Sequence, residues 1–162
     1  MVASDIRLRP ARPADLTAVD ALFAHSYARL LRADYPPSVL VTAVPLLARA
    51  QPVLLASGRY WLAEGQDGIL GAGGWSLRAP GQGEIRHLVT HASRIREGIG
   101  TAILRRVIDQ AREEGVTRLD CLATRTAVPF YESVGFRRLG EVDVPLRPGI
   151  GFPAVRMVLG AE

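Results

Sequence analysis

The chain has 162 residues, of which 48% are hydrophobic, and its mean hydropathy is +0.13. These values are typical of one packed domain and exclude a largely disordered chain. The net charge is +4, but all 20 basic residues are arginines scattered along the chain, and lysine and asparagine are absent. We therefore expect no nucleic-acid partner and attribute the composition to a GC-rich gene, although the positive balance suits an anionic cofactor or substrate.

Targeting and cross-linking signals are also lacking in the sequence. No apolar run approaches the roughly 18 residues that span a membrane, and the first residues do not resemble a secretion signal. We therefore expect a soluble, cytoplasmic protein without a membrane partner. The single cysteine, Cys121, excludes a disulfide framework and a zinc site, and its apolar surroundings favour a buried thiol over a nucleophile. No bound metal is expected.

The first half of the chain predicts a strand, two helical stretches and a β-hairpin. Apolar residues recur at helical spacing in the first helical stretch, whereas Pro45 predicts a kink or two short helices in the second. The apolar period then changes to two on either side of a turn at residues 66–68. The predicted bounds are a strand over residues 6–9, helices over 15–31 and 39–50, and hairpin strands over 60–64 and 69–77.

The second half predicts strands that alternate with two helices. Each helix is followed by a glycine, Gly115 or Gly135, which accepts the left-handed conformation at a helix C-terminus. No linker or repeat interrupts the pattern, so a single α+β domain over residues 5–162 is expected. The predicted bounds are a glycine- and proline-rich loop over 79–83, strands over 84–91, 117–124, 136–144 and 153–159, and helices over 98–114 and 127–134.

A glycine turn joins the strand over residues 84–91 to the next helix. Gly98 and Gly100 let the backbone of this turn approach an anion, and the helix directs the positive end of its dipole toward the same point. The arrangement suits a diphosphate, although a tight turn that binds nothing would also use glycine. The candidate phosphate site comprises Arg96, Glu97, Gly98, Ile99, Gly100 and Thr101.

A second motif, added to this turn, carries a resemblance to a known family. The segment Ala127-Val-Pro-Phe-Tyr-Glu-Ser-Val-Gly-Phe136 resembles the Phe-Tyr-Glu-x-x-Gly-Phe segment of the GCN5-related N-acetyltransferases (GNAT), at the expected distance after the turn. Nearly the whole chain fits the family's order of elements. The resemblance implies an α+β, three-layer α/β/α acyl-CoA N-acyltransferase fold, whose mixed, mostly antiparallel sheet splays at the cofactor site. It also implies acetyl-CoA as the acetyl donor.

The turn and the second motif each depart from the family pattern at one position. The family places a polar residue where Ile95 stands, so the resemblance assigns the pyrophosphate contact to Arg96. An asparagine that commonly precedes the Phe-Tyr pair is missing, and Thr124 or Thr126 would replace it with a hydroxyl. The peptide-like pantetheine arm would add to the free edge of the strand over 84–91. The other expected cofactor contacts are Leu88, Val89, Thr90 and Phe130.

The resemblance also suggests which groups carry the chemistry. It places Tyr131 beside the coenzyme sulfur, where its hydroxyl could protonate the departing thiolate, unless Tyr131 only packs beside Phe130. A backbone N–H near Val89 could polarise the thioester carbonyl.

Two residues compete for the role of general base. Glu84 lies eleven residues before Ile95, as does the general-base glutamate of some relatives, whereas His87 has an ordinary pKa near 6.5. On a regular strand His87 points away from the face that Glu84 shares with Leu88, unless a bulge intervenes. Either residue could be structural, and a water relay could replace both.

The first helices would form the wall of the acceptor site. Tyr27 and Tyr35 are candidate acceptor contacts, and Trp75 either fills the core or borders the same pocket. The implied function is direct acetyl transfer to a primary amine of a small molecule or peptide, in a ternary complex. The alternative is a non-catalytic acyl-CoA-binding sensor or interaction module. Exposed strand edges near the C-terminus could also pair two copies into a homodimer.

Overall fold

The computed structural model describes residues 5–160, in which seven strands form one mixed sheet. The strand order is β1-β2-β3-β4-β5-β7-β6, and β4 and β5 are its only parallel neighbours among these residues. This sheet confirms the predicted fold class. The strands are β1 (Arg7–Pro10), β2 (Tyr60–Gly65), β3 (Gly68–Ala79), β4 (Gln82–Thr90), β5 (Arg118–Ala123), β6 (Arg137–Arg147) and β7 (Ile150–Gly160).

Helices cover both faces of the sheet and give three layers. One face packs on α5 and the other on α1, so that each face has its own hydrophobic core. No helix within residues 5–160 has the length and apolar content required to cross a membrane. The α-helices are α1 (Leu16–Leu30), α2 (Pro37–Thr42), α3 (Val44–Leu47), α4 (Pro52–Leu55), α5 (Ile99–Glu113) and α6 (Val128–Val134).

Helix α5 lies unusually close to the sheet because β3 presents glycines to it. A Cβ atom on Gly71 would stand 2.8 Å from Ile99 Cγ2, and one on Gly73 would stand 3.0 Å from Ile103 Cγ2. The buried face of α5, which includes Leu104, therefore packs directly on the β3 backbone. Each fully buried Leu or Ile side chain contributes about 1.5–3 kcal/mol, so this contact holds the start of α5 firmly against the sheet.

Most predicted elements are confirmed, and the differences have physical reasons. The second helical stretch consists of two short helices, and Pro45 lies in the first turn of α3, where its missing N–H leaves no helical bond unmade. The predicted loop over 79–83 is wrong, since Ala79 pairs with Gln82 and the connection is a tight turn. Strand β7 begins before Pro153, which is tolerated because β7 pairs there with β6 alone.

The sheet splays between β4 and β5. These strands pair only from Gln82 to Glu84 on β4 and from Arg118 to Asp120 on β5. Beyond Glu84 the two strands diverge, so that their C-terminal ends border an open gap. The predicted splay is therefore present, and it places the backbone edge of β4 where a ligand can reach it.

Candidate active site

The gap between β4 and β5 opens into a cleft of about 1230 Å³. This volume exceeds that of most small-molecule pockets and suits a long ligand together with a second molecule. Among the predicted site residues, those that line the cleft are Tyr27, Glu84, His87, Leu88, Val89, Thr90, Arg96, Gly98, Ile99, Gly100, Thr101, Thr124, Thr126, Phe130 and Tyr131. Glu97, Tyr35 and Trp75 are not among its lining residues.

The start of α5 presents unpaired backbone amides to this cleft. Gly98 is the N-cap residue with φ +79°, and its carbonyl accepts the first helical bond from the Ala102 amide at 3.0 Å. The amides of Ile99, Gly100 and Thr101 consequently have no acceptor inside the helix. Together with the positive end of the helix dipole, they form a site for an anion.

Two arginines beside this turn differ in their partners. Arg94 Nε donates to both carboxylate oxygens of Glu97, at 2.8 and 2.9 Å. The Glu97 side chain is therefore the ion-pair partner of Arg94, and Glu97 is not among the residues that line the cleft. Arg96 is exposed, adopts φ +66° and makes no ion pair with the described residues. Its charge is available to a ligand phosphate.

A β-bulge interrupts β4 where the cleft begins. Ala72 pairs with Val89 but Gly74 pairs with Arg86, so β4 carries one extra residue, and His87 takes φ +44°. The His87 ring stacks on Phe23 of α1, with centroids 5.6 Å apart. The bulge thus directs His87 to the α1 face of the sheet, which by strand alternation is also the face of Glu84 and Arg86.

Beyond the bulge, the ladder register fixes which backbone groups face the cleft. The His91 amide donates to the Leu70 carbonyl at 2.8 Å, and antiparallel pairs alternate between bonded and non-bonded. By this alternation Val89 exchanges its bonds with Ala72, while the N–H and C=O of Thr90 point toward the gap. The backbone groups near Val89 that face the cleft are therefore those of Leu88 and Thr90, whereas those of Val89 itself bond to β3.

Tyr131 packs in the hydrophobic core and also lines the cleft. It is 4% exposed, and its ring makes edge contacts with Phe130 and Phe136 at centroid distances of 5.3 and 5.2 Å. Burial, with a contribution from the neighbouring Cys121, raises the pKa of Tyr131 well above its usual value. The phenol therefore stays protonated at neutral pH, as a proton donor requires.

The buried thiol of Cys121 fits the structural interpretation rather than the nucleophilic one. Burial raises the pKa of Cys121 to about 12, so its sulfur remains a thiol at neutral pH. A nucleophilic cysteine requires a thiolate.

His87 and Glu84 offer different chemistry as bases. Burial, and secondly the charge of Arg86, lower the pKa of His87 to about 4, so the imidazole is uncharged and weakly basic at neutral pH. Its Nε2 lies 3.4 Å from Gln51 Nε2. The Glu84 carboxylate lines the cleft and lies 3.9 Å from the exposed guanidinium of Arg78.

The two threonines are unequal substitutes for the missing asparagine. Thr126 Oγ1 donates its proton to the Asp34 carboxylate at 2.6 Å. Thr124 Oγ1 accepts from the Ala127 amide at 3.2 Å and so retains its own proton. Thr124 is therefore the one with a donor left for a ligand.

Of the three aromatic residues predicted to contact the acceptor, only Tyr27 lines the cleft. Burial raises the pKa of Tyr27, and its hydroxyl has no hydrogen-bond partner among residues 5–160. Tyr35 instead donates to the Pro153 carbonyl at 2.6 Å and accepts from the Arg125 amide at 2.9 Å. Trp75 is fully buried. Tyr35 is therefore structural and not an acceptor contact, and Trp75 fills the core, which was one of its two alternatives.

Three polar residues on the acceptor side of the cleft, Arg49, Gln51 and Arg86, were not predicted from the sequence. Arg86 Nη2 donates to Gln51 Oε1 at 2.9 Å, and Arg49 lies two residues before that glutamine. Alternation along β4 could have identified Arg86, because it falls on the same face as Glu84. Nothing in the sequence pattern indicates that the link between α3 and α4 folds over this strand.

Comparison with known proteins agrees with this architecture. Residues 56–138 match the family model for the acetyltransferase (GNAT) domain. The chain therefore belongs to the GNAT family, and the resemblance seen in its sequence is confirmed.

Two curated relatives are named as N-acetyltransferases. The chain is 28% identical over 116 residues to Probable N-acetyltransferase family 8 member 5 of Mus musculus, covering 67% of this chain and 50% of that protein. It is 32% identical over 84 residues to Uncharacterized N-acetyltransferase YsnE of Bacillus subtilis, covering 48% and 55%. The chain thus spans about half the length of the curated relatives it matches.

Solved structures share the fold at low sequence identity. A GCN5-related N-acetyltransferase from Rhodopseudomonas palustris has a TM-score of 0.81 and 21% identity, with 99% of each chain covered. The PaiA N-acetyltransferase from Thermoplasma acidophilum, crystallised with coenzyme A, has a TM-score of 0.75 and 14% identity, covering 96% of this chain and 99% of that one. At these identities the likeness establishes the fold.

Proposed function

We propose that the protein is an acetyl-CoA-dependent N-acetyltransferase that transfers an acetyl group directly to a primary amine in a ternary complex. One observation carries the proposal: the unpaired amides of α5 and the buried Tyr131 hydroxyl both belong to the cleft where β4 and β5 separate. The N-acetyltransferase names of its relatives, and the coenzyme A bound to the Thermoplasma structure, support the same conclusion.

The residues of the cleft fit coenzyme A. A Cβ atom on Gly100 would stand 3.3 Å from Thr90 Oγ1 and 3.4 Å from the Phe130 ring, so glycine keeps this junction open. The amides of α5, with Arg96, would hold the pyrophosphate. The free edge of β4 at Leu88 and Thr90 would pair with the pantetheine amides as an added strand.

When bound, acetyl-CoA supplies an activated thioester whose carbonyl carbon an amine can attack. A cleft-facing β4 amide stabilises the negative charge that develops on the carbonyl oxygen. Glu84, directly or through water, accepts the proton that the amine nitrogen loses. Tyr131 donates its hydroxyl proton to the sulfur as the C–S bond breaks. His87 stacks on Phe23 and its Nε2 lies against the Gln51 side chain, so we assign the proton transfer to Glu84 and not to His87.

A turnover assay tests this function. The full chain with acetyl-CoA and a panel of primary amines, both small molecules and peptides, should release free thiol in proportion to acetylated amine. Calorimetry with coenzyme A, run in parallel, should give one site per chain. Absence of coenzyme binding would contradict the proposal outright.

A non-catalytic acyl-CoA-binding module is the second candidate. It is favoured by the apolar Ile95, which is 46% exposed where the family carries a polar residue, and by the engagement of Thr126 with Asp34. Tight coenzyme binding without acetylation of any amine in the panel would support it. Turnover with any amine would exclude it.

A further inference from the structure

The side chains that line the cleft carry more positive than negative charge. Arg94 is neutralised by Glu97, and Arg96 lies at the phosphate turn. The other two lining cations lie on the acceptor side: Arg86 precedes the bulge on β4, and Arg49 lies on the link between α3 and α4. Neither makes an ion pair with a carboxylate among residues 5–160, and the only lining carboxylate, Glu84, has Arg78 as its ion-pair partner.

The Arg86 guanidinium is held in place without being neutralised. It donates from Nη1 to Ser76 Oγ at 3.2 Å and from Nη2 to Gln51 Oε1 at 2.9 Å, both uncharged acceptors. A guanidinium has five N–H donors, so others remain for a ligand. The lowered pKa of the adjacent His87, to which the charge of Arg86 contributes, agrees with an unscreened positive charge at this point.

Apart from Tyr27, Gln51 and His87, the remainder of the acceptor side is largely apolar. Its wall comes from the end of α1, from α3 and from the β6-β7 hairpin, and its members are Leu30, Leu31, Leu46, Leu47, Leu146 and Phe152. An acceptor that fits this wall has an apolar body. An acceptor that carries a second positive charge would meet two uncompensated guanidiniums.

We propose that the acceptor is an α-amino acid with an apolar side chain, and that Arg86, assisted by Arg49, binds its carboxylate. The inference rests on the proposed function. A planar guanidinium held by two neutral partners can bind a carboxylate through two parallel hydrogen bonds. This contact would hold the α-amino group of the acceptor near the bulge of β4. Transfer then forms an N–C bond at the amino group and breaks the C–S bond. Glu84 or solvent receives the amine proton, and the thiolate receives the proton of Tyr131.

Matched acceptors test the carboxylate directly. With acetyl-CoA, L-leucine, L-methionine and L-phenylalanine should each have a kcat/KM about 10–100-fold above that of the corresponding amide, as expected for a charge-assisted bidentate contact. The amides have less basic amines, so a larger fraction of each amide is in the uncharged, nucleophilic form at neutral pH. Without a carboxylate contact, the amides would therefore be the better acceptors. Isoamylamine, which is leucine without its carboxyl group, should be as poor as leucinamide.

Variants test the assignment to Arg86. Arg86→Gln should raise KM for leucine about 10–100-fold. It should change KM for leucinamide by no more than about twofold and preserve the Kd for coenzyme A. Arg86→Lys should restore part of the affinity for leucine, because lysine restores the positive charge but not the planar pair of N–H donors. Arg7→Gln, on an exposed arginine outside the cleft, is the matched charge control and should change nothing. If Arg86→Gln does not fold, Arg49→Gln should still lower the ratio of kcat/KM for leucine to kcat/KM for leucinamide.

The outcomes separate the inference from the proposed function. Efficient acetylation of amides or polyamines with poor acetylation of amino acids would overturn the inference and leave the acetyltransferase function standing. An Arg86→Gln variant that loses equal activity toward leucine and leucinamide would also overturn it. Coenzyme binding without acetylation of any amine would contradict both.

Discussion

The Tyr131 hydroxyl is the group that the proposed mechanism uses to protonate the leaving sulfur. Tyr131→Phe removes that proton donor and leaves the ring between Phe130 and Phe136. We expect kcat to fall about 10²–10³-fold, within the range of general acid catalysis, with the Kd for coenzyme A unchanged. Steady-state kinetics beside calorimetry would measure both quantities.

Tyr35→Phe is a matched control for this substitution. It also removes one phenolic oxygen, but one that ties the Pro153 carbonyl to the Arg125 amide outside the cleft. It should lower the free energy of unfolding by about 1–3 kcal/mol and leave kcat unchanged. Full turnover in Tyr131→Phe would remove Tyr131 from the mechanism.

The neutral state of His87 makes stability depend on pH. Its pKa is about 4 in the folded protein and near 6.5 when unfolded, so the unfolded chain binds more protons between these values. The contribution, up to about 3 kcal/mol, is complete above pH 6.5 and is lost as the pH falls toward 4. Urea unfolding at pH 7.5 and pH 4.5 would measure it.

The control for this measurement is His87→Asn, since asparagine tolerates the positive φ at this position and does not titrate. The stability of the variant should fall less than that of the parent protein between the two pH values. Parallel pH profiles for the two proteins would show that His87 is not held neutral by the fold.

At the scale of the element, the start of α5 depends on the open junction at Gly100. In Gly100→Ala the added Cβ would contact Thr90 Oγ1 and the Phe130 ring at 3.3 and 3.4 Å, where the backbone must approach the pyrophosphate. We expect the Kd for coenzyme A to rise about tenfold or more. The free energy of unfolding should change little, because the helix propensity of alanine, up to about 1 kcal/mol above that of glycine, offsets the cost of these close contacts. Calorimetry and urea unfolding would separate the two effects, and an unchanged Kd would contradict the assignment of the phosphate site.

Elements with long, regular patterns could be predicted from the sequence, whereas local irregularities could not. Helix α5 follows its apolar periodicity almost to the residue. The bulge at His87 leaves no such signal, because histidine rarely takes φ +44° and only the pairing of β4 with β3 imposes it. The same limit applies to α4, which has four residues and therefore no measurable period.

At the scale of the whole molecule, the cleft should make stability depend on the coenzyme. Coenzyme A at 100 times its Kd should stabilise the folded state by about 2.7 kcal/mol. For a domain of this size that corresponds to a rise in Tm of roughly 5–10 °C. Pantetheine, which lacks the phosphates, should give a much smaller shift at the same concentration. Equal shifts for the two ligands would show that the α5 amides do not bind the pyrophosphate.

The composition of the site was more predictable than its orientation. Tyr131 and the glycine turn were predicted because their spacing matches a family motif, and both line the cleft. Tyr35 and Trp75 lie in suitable regions of the chain, but the direction in which an aromatic side chain points depends on packing with distant elements. Trp75 donates to Gln110 of α5, 35 positions along the chain, and no local pattern predicts that contact. The homodimer stays a prediction, to which the eleven-residue edge strand β6 offers a surface.

A crystal structure with acetyl-CoA is the most direct test of how the cleft works. We expect pyrophosphate oxygens within hydrogen-bond distance of the amides of Ile99, Gly100 and Thr101, and pantetheine paired with the edge of β4. We also expect the Tyr131 hydroxyl at ~3.5 Å or less from the coenzyme sulfur. A coenzyme bound elsewhere, or with its sulfur remote from Tyr131, would contradict the proposed function of the cleft.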